Sequence, residues 1–322
     1  MRAWPLIKVL PVKTNMHFVK LARLFAALSI VLVIASIVGA FYPGFNRGID
    51  FKGGTVLELS TPTPIDIGKV RGTVNGLNLG DVGVQNFASR DDPAGVRHVS
   101  VKFQTPDRAD PAATVTRVRT ALSTALGQVT FSRADVVGPK VSGELFRNGL
   151  LALGIAIGLM LIYIWFRFEL QFGLGAVAAL FHDVILTFGL IVLLRIELDL
   201  KLIAAILTVI GYSMNDTVVV FDRLRENLRK YKRMPLAEVI DHSINETLTR
   251  TVITGITALL ALSGLAIFGG EALRDFSLVL MFGIAIGTYS SIYIASPIVL
   301  LWGVKRGEEV EIIAPQPART RV

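Results

Sequence analysis

The stretch LKLIAAILTVIGYSMNDTVVVF, residues 200–221, decides how the rest of the chain is read. As a helix it rises about 33 Å, against a bilayer core of about 30 Å, and its first half is apolar enough for hydrocarbon. Its second half carries Ser213, Asn215, Asp216 and Thr217. A charge at the centre of an isolated membrane helix costs about 2.5–3.5 kcal/mol on insertion scales, and a packing role needs no charge. Asp216 therefore reads as functional, roughly 9 Å inside Asp222 at helical rise.

Five further stretches have the same apolar character: 21–42, 149–166, 171–194, 250–268 and 275–303. The 52% of hydrophobic residues and the mean hydropathy of +0.58 exceed what a water-soluble core buries. Six spans put both termini on one side. Basic residues gather there: Arg2, Lys8, Lys13, Lys20 and Arg23 before the first span, Arg167 after the second, and Arg223, Arg225, Arg229, Lys230, Lys232 and Arg233 after the fourth. Lys305 and Arg306 follow the sixth. That face is expected to be cytoplasmic, with residues 1–20 and 304–322 as its N- and C-terminal tails. The net charge of +8 is thus a matter of orientation rather than of a nucleic-acid partner. Val38-Gly39-Ala40 resembles a signal cleavage site, but the apolar run Leu24–Ala40 is longer than a signal core, so a retained anchor is expected. Zero cysteines exclude a disulfide framework, a thiolate metal site and a cysteine nucleophile, and four scattered histidines form no local metal motif.

Residues 43–148 have an ordinary soluble composition and must lie outside the cytoplasm. Thr55–Leu59 reads as a strand, and Ile65, Ile67, Val70, Val74 and Leu77 recur at helical spacing. Strands are expected at Val82–Phe87 and Val99–Phe103, and a helix follows Asp110-Pro111 with Val115, Val118 and Leu122 on one face. Residues 129–137 supply a last strand. The order β-α-β-β-α-β is ferredoxin-like, making the chain an α-helical membrane protein with one α+β domain. The loop 222–249 resumes after Pro235 with Leu236, Val239, Ile240, Ile244 and Leu248 on one stripe and Glu238, Asp241 and Glu246 off it. This predicts a helix resting on the membrane face; Ser243 and Glu246 have capping-box spacing, but the helix starts before them.

GIDFKGGT at 48–55 is glycine-rich but lacks the order of a P-loop, and Gly173, Gly175 and Ala178 lack the strand a dinucleotide motif needs. Gly154/Gly158 and Gly283/Gly287 are GxxxG pairs, which let helix backbones approach. Among ionisable residues, His182 and Asp183 sit mid-span and point to different sides, so at most one faces a given helix, and a satisfied interior polar residue is the plain alternative for one of them. Arg250 is the natural counter-ion for Asp216, with snorkelling to the interface as its plain alternative. Asp275, beside Arg274, begins the last span, where interfacial solvation is the alternative to function. Intramembrane carboxylates facing a basic residue suit a proton relay, in which protonation breaks a pair and shifts helices. No cofactor is expected; the proton gradient is the energy source.

GIDFKGGT (48–55), FHD (181–183) and GYSMNDTVVVFDRLREN (211–227) resemble the hallmark segments of the SecF family of the bacterial Sec translocase, in the RND superfamily. The resemblance implies six RND-type helices, one periplasmic domain and an inner-membrane location. It also implies SecD as partner, action with the SecYEG channel, often YajC and indirectly SecA, and preproteins as cargo within membrane lipid. Asp216 matches the family's proton-linked aspartate, Arg250 its basic partner, and Asp275 a more variable acidic position; Asp183 and Asn215 join them as candidates. With six spans the chain is expected to work beside a separate SecD, as a proton-driven, non-enzymatic export accessory. An RND-type small-molecule exporter and a structural scaffold of the translocon are the alternatives.

Overall fold

The computed structural model describes residues 14–62, 65–80, 82–87, 97–104 and 110–304. Arg2, Lys8 and Lys13 of the first basic cluster, and Lys305 and Arg306 of the last, lie outside them. Six helices are long and apolar enough to cross a membrane. The first is α1 (Phe18–Gly39), prolonged by a π turn at Ala40–Gly44. After the α/β domain come α5 (Pro139–Arg167), α6 (Leu170–Leu193), α7 (Leu200–Lys230) and α8 (Leu236–Phe268). The sixth is compound: α9 (Glu271–Ser290), a π turn at Ser291–Ala295, and α10 (Ser296–Trp302). Pro297 has no N–H to continue the ladder, and Ser296 Oγ donates instead to the Ser291 carbonyl at 2.8 Å.

The six are not equivalent. Helices α6, α7 and the compound last helix are about half buried along their apolar windows, whereas α1, α5 and α8 are buried over about a tenth or less. Three helices therefore form a centre, and three present Leu24, Ile30, Ile155, Leu159 and Leu260 outward, as lipid-facing surface should.

Between α1 and α5 the chain forms β1 (Asn46–Arg47), α2 (Ile49–Lys52), β2 (Gly54–Thr61), α3 (Ile67–Asn75), β3 (Gly83–Phe87), β4 (Arg97–Phe103), α4 (Pro111–Leu126) and β5 (Thr130–Val137). The chain order β-α-β-β-α-β is the one read from the sequence, and the antiparallel sheet runs β3-β4-β2-β5, as in a ferredoxin-like domain. Leu57, Leu59, Val99, Val101 and Phe103 alternate onto one face and meet Val70, Val74, Val118 and Leu122 of the two helices. Asp66 caps α3 by accepting from Gly68 N at 2.8 Å, and Asp110 caps α4 from Ala112 N at 3.1 Å ahead of Pro111.

The glycine-rich segment joins this domain to the helices. Gly48 N donates to Leu198 O at 2.9 Å, and β1 pairs in parallel with β6 (Glu197–Leu198), in the loop between α6 and α7. Asp50 accepts from Leu200 N at 3.1 Å, and Phe51 meets Phe146 of α5 with ring centroids 5.4 Å apart. Gly53 has φ +75°, and a Cβ on Gly54 would stand 2.8 Å from the Phe103 carbonyl oxygen. Lys102 of β4 donates to Glu197 at 2.7 Å, and only Gly138 separates β5 from α5.

One expectation changes. The stripe of Val239, Ile240, Ile244 and Leu248 packs into the helical core rather than onto a membrane face, because α8 is continuous from Leu236 and leans on α7. Ser243 lies within it, donating to Val239 O at 2.6 Å, so it caps nothing. Glu246 accepts from Arg223 at 2.7 Å and Asn227 at 2.7 Å, fastening α8 to α7.

Gly54→Ala should destabilise the α/β domain by about 1–3 kcal/mol, since its backbone conformation and the Phe103 carbonyl both resist a methyl. Thermal unfolding or limited proteolysis of the purified protein checks this, with Gly143→Ala, which meets open space, as the control.

Candidate functional site

The central helices approach closely because glycines face their neighbours. A Cβ on Gly283 would land 2.1 Å from Val209 Cγ2, and one on Gly287 2.8 Å from Ser213 Cβ, so this GxxxG pair is where α9 meets α7. A Cβ on Gly175 of α6 would stand 2.6 Å from Ala295 O in the second π turn. At such distances the short hydroxyls of serine and threonine reach across.

They reach Asp183. This carboxylate, on α6, is 1% exposed and accepts from Ser290 Oγ at 2.7 Å, from Ser213 Oγ, and shares a hydrogen bond with His182 Nδ1 at 2.8 Å. His182 Nε2 lies 3.1 Å from Ser29 Oγ of α1, but its ring also stacks on Tyr289 of α9, the helix that supplies Ser290 to Asp183, so both residues face α9 despite their spacing. They also contact each other, which helical spacing alone does not reveal. Ser29 Oγ is 2.7 Å from the Tyr289 hydroxyl, which donates to Phe25 O at 2.8 Å. A burial of this depth is tolerable for a carboxylate because three donors surround it.

Asp216 differs. It lies three residues beyond Ser213 on α7, beside Thr217, whose hydroxyl is 2.8 Å from Ser291 Oγ. Asp216 is 9% exposed, and among the described residues its Oδ2 is buried with no hydrogen-bond partner. The hydroxyls of Thr251 of α8 and Thr288 of α9 face the carboxylate, and Thr251 Oγ1 is itself buried without a hydrogen bond of full geometry. Arg250, the preceding residue on α8, acts on Asp216 through its charge but closes no ion pair with it, and it is exposed.

The remaining candidates lie apart. Asn215 is exposed on the outward side of α7. Asp275 stands at the domain end of α9 among the charges of Arg274, Glu197, Lys102 and Lys201. Sequence reading missed Ser29, Thr251, Thr288, Tyr289, Ser290 and Ser291. The available signal was the run Thr288-Tyr289-Ser290-Ser291, which interrupts an apolar span as Ser213–Thr217 does. Among the described residues no group of three or more His, Asp or Glu is placed to hold a metal.

Residues 117–305 match the family model described as protein export membrane protein SecD/SecF, C-terminal, and residues 43–61 match the SecD/SecF GG motif. The chain belongs to the SecD/SecF family. The protein translocase subunit SecF of Cereibacter sphaeroides is 45% identical over 303 residues, covering 94% of each chain. That of Rickettsia felis is 40% identical, over 95% of this chain and 97% of its own. The crystal structure of SecDF, a translocon-associated membrane protein from Thermus thermophilus, superposes with a TM-score of 0.79 at 34% identity. The alignment covers 92% of this chain and 40% of that longer one. The stretch matched to the GG motif contains the Gly53–Gly54 joint, and the C-terminal model spans every central polar residue except Ser29.

The absence of cysteine gives a direct check of this SecD/SecF core. Thr217→Cys with Ser291→Cys should form a disulfide on mild oxidation, because the two hydroxyls are 2.8 Å apart. Asn215→Cys with Ser291→Cys should not, and mobility on a denaturing gel after cleavage between α7 and α9 distinguishes them.

Proposed function

We propose that the chain is a proton-motive-force-driven accessory subunit of the Sec protein translocase. The accessory role in export follows from membership of the family. The proton coupling is the further step, and one observation carries it: the unpartnered carboxylate oxygen of Asp216 at the interface of α7, α8 and α9. An ionised carboxylate with an unpaired oxygen in a low-dielectric site costs several kcal/mol more than a protonated one, so its packing depends on the proton. With the proton lost, the charge of Arg250 becomes the partner that Asp216 lacks, and α8 is drawn toward α7. A charge displaced through the membrane potential contributes about 2.3 kcal/mol per 100 mV, enough to bias two packings of the same helices.

In this reading the chain is a multi-pass protein of the bacterial inner membrane with both termini cytoplasmic, set by the basic residues flanking the spans. The ferredoxin-like domain is then periplasmic, acting on preproteins as they emerge. SecD is the partner that completes the unit, since SecDF of Thermus thermophilus holds a chain more than twice as long, and the SecYEG channel lies beyond it. YajC and, indirectly, SecA belong to the same assembly. No step requires a cofactor or a covalent reaction.

Export of a secreted precursor into inner-membrane vesicles tests this. Asp216→Asn keeps the shape and removes the titration; with normal assembly it should abolish the stimulation of export by a proton gradient. Stimulation equal to wild type would leave a scaffold role. Exchanging Asp216 and Arg250 together should retain more activity than either single change, if the two alternate as partners.

A further inference from the structure

Four hydrogen-bond contacts run in series through the middle of the bundle: Asp183 Oδ1 with His182 Nδ1 (2.8 Å), His182 Nε2 with Ser29 Oγ (3.1 Å), Ser29 Oγ with the Tyr289 hydroxyl (2.7 Å), and that hydroxyl with Phe25 O (2.8 Å). Each needs one proton. The Phe25 carbonyl supplies none, and Ser29 and Tyr289 supply one each. A carboxylate beside a neutral imidazole adds a single proton, so three protons would serve four contacts. The series is filled only when Nε2 carries a proton as well as the Nδ1–Oδ1 contact. Every bond then points one way, from Nε2–H to Ser29, from Ser29 to Tyr289, and from Tyr289 to Phe25 O. Ser213 and Ser290 already donate to the carboxylate, and these donors favour leaving the shared proton on the imidazole.

Resting on the proton-driven reading above, we propose that His182 is a second proton-carrying group, with Nε2 protonated in this conformation, and that release of that proton unfastens α1. A neutral pair is also what burial favours: His182 and Asp183 side chains are 5% and 1% exposed. When the Nε2 proton passes to water entering between the helices, Ser29 must turn its only proton to Nε2. The Tyr289 hydroxyl then has one proton for both Ser29 and Phe25, and one contact is lost. This matters because, of the buried residues of α1, Phe18, Ala22 and Ser29, Ser29 is the polar one. The same helix leads through its π turn into β1 and the α/β domain, so a loosened α1 frees one of the domain's two chain connections to the helices. The titratable groups that face the imidazole are Asp183 on its own helix and Tyr289 of α9, which is stacked with it at 5.9 Å. Tyr293 of the π turn backs Tyr289 at 5.4 Å, while α1 and α7 present Ser29 and Ser213.

The test uses the complex with SecD in lipid nanodiscs, with ¹⁵N-labelled histidine and the His182 signal assigned by its loss in His182→Gln. Near neutral pH, Nε2 should be proton-bearing; a bare Nε2 overturns the proposal. In export vesicles, Ser29→Ala should move the half-maximal point of proton-gradient stimulation about one pH unit lower, since the protonated imidazole loses its acceptor. Ser29→Thr, which keeps the hydroxyl, should restore the wild-type profile. An unchanged profile in Ser29→Ala, with stimulation lost in Asp216→Asn, overturns this inference and leaves the proposed function standing. Stimulation retained in Asp216→Asn overturns the proposed function, whereas the protonation of Nε2 is read independently of it.

Discussion

Removing a carboxylate from water commits its surroundings, and the burial of Asp183 organises this bundle. Its donors are serines, whose short side chains reach it only if α6, α7 and α9 lie almost backbone to backbone. That closeness requires Gly283 and Gly287 against α7 and Gly175 against the second π turn. The π turn itself follows directly after Ser290 and sets Ser291 toward Thr217. The division into three central and three outer helices thus has a cause: the polar groups need a protein interior, and the apolar outer helices do not.

The two intramembrane aspartates illustrate opposite solutions. Asp183 has every oxygen engaged, and its packing resists change as a unit with His182. Asp216, a turn from the same serine, has a buried oxygen without a partner and threonines on two other helices nearby. A fully satisfied site holds helices together; an unsatisfied one leaves more than one arrangement of comparable energy. Asp216 and Ser213, which donates to Asp183 of α6, stand one turn apart on α7, so the two sites share that helix.

The spans and the domain were legible because their signals are periodic and local: uninterrupted apolar runs, the alternation Val99-Val101-Phe103, and the Asp110-Pro111 helix start. Asp216 was legible because a lone carboxylate in an apolar run contrasts with everything around it. What escaped was relational. Ser29 looks like any small residue in α1 until Tyr289, 260 positions on, stands beside it. The surface-lying helix after Pro235 failed as an expectation because an amphipathic stripe fits a protein neighbour as well as a membrane, and only the pairing of α8 with α7 decides between them. The segment 48–55 gave up its sequence pattern but not its purpose, since Gly54 is required by a carbonyl on a strand nearly fifty residues away.

The single residue Gly138 between β5 and α5 has a mechanical consequence. A strand at the sheet's edge that passes into a long helix without a linker makes the helix a lever whose short arm is the domain. Tilting of α5 within the bilayer turns the sheet as one piece, and the opposite attachment, through β1 and the Lys102–Glu197 contact, acts as the fulcrum. A rearrangement of the central helices that tilts α5 is thereby delivered to the domain as a turn of the whole sheet rather than as bending at the joint.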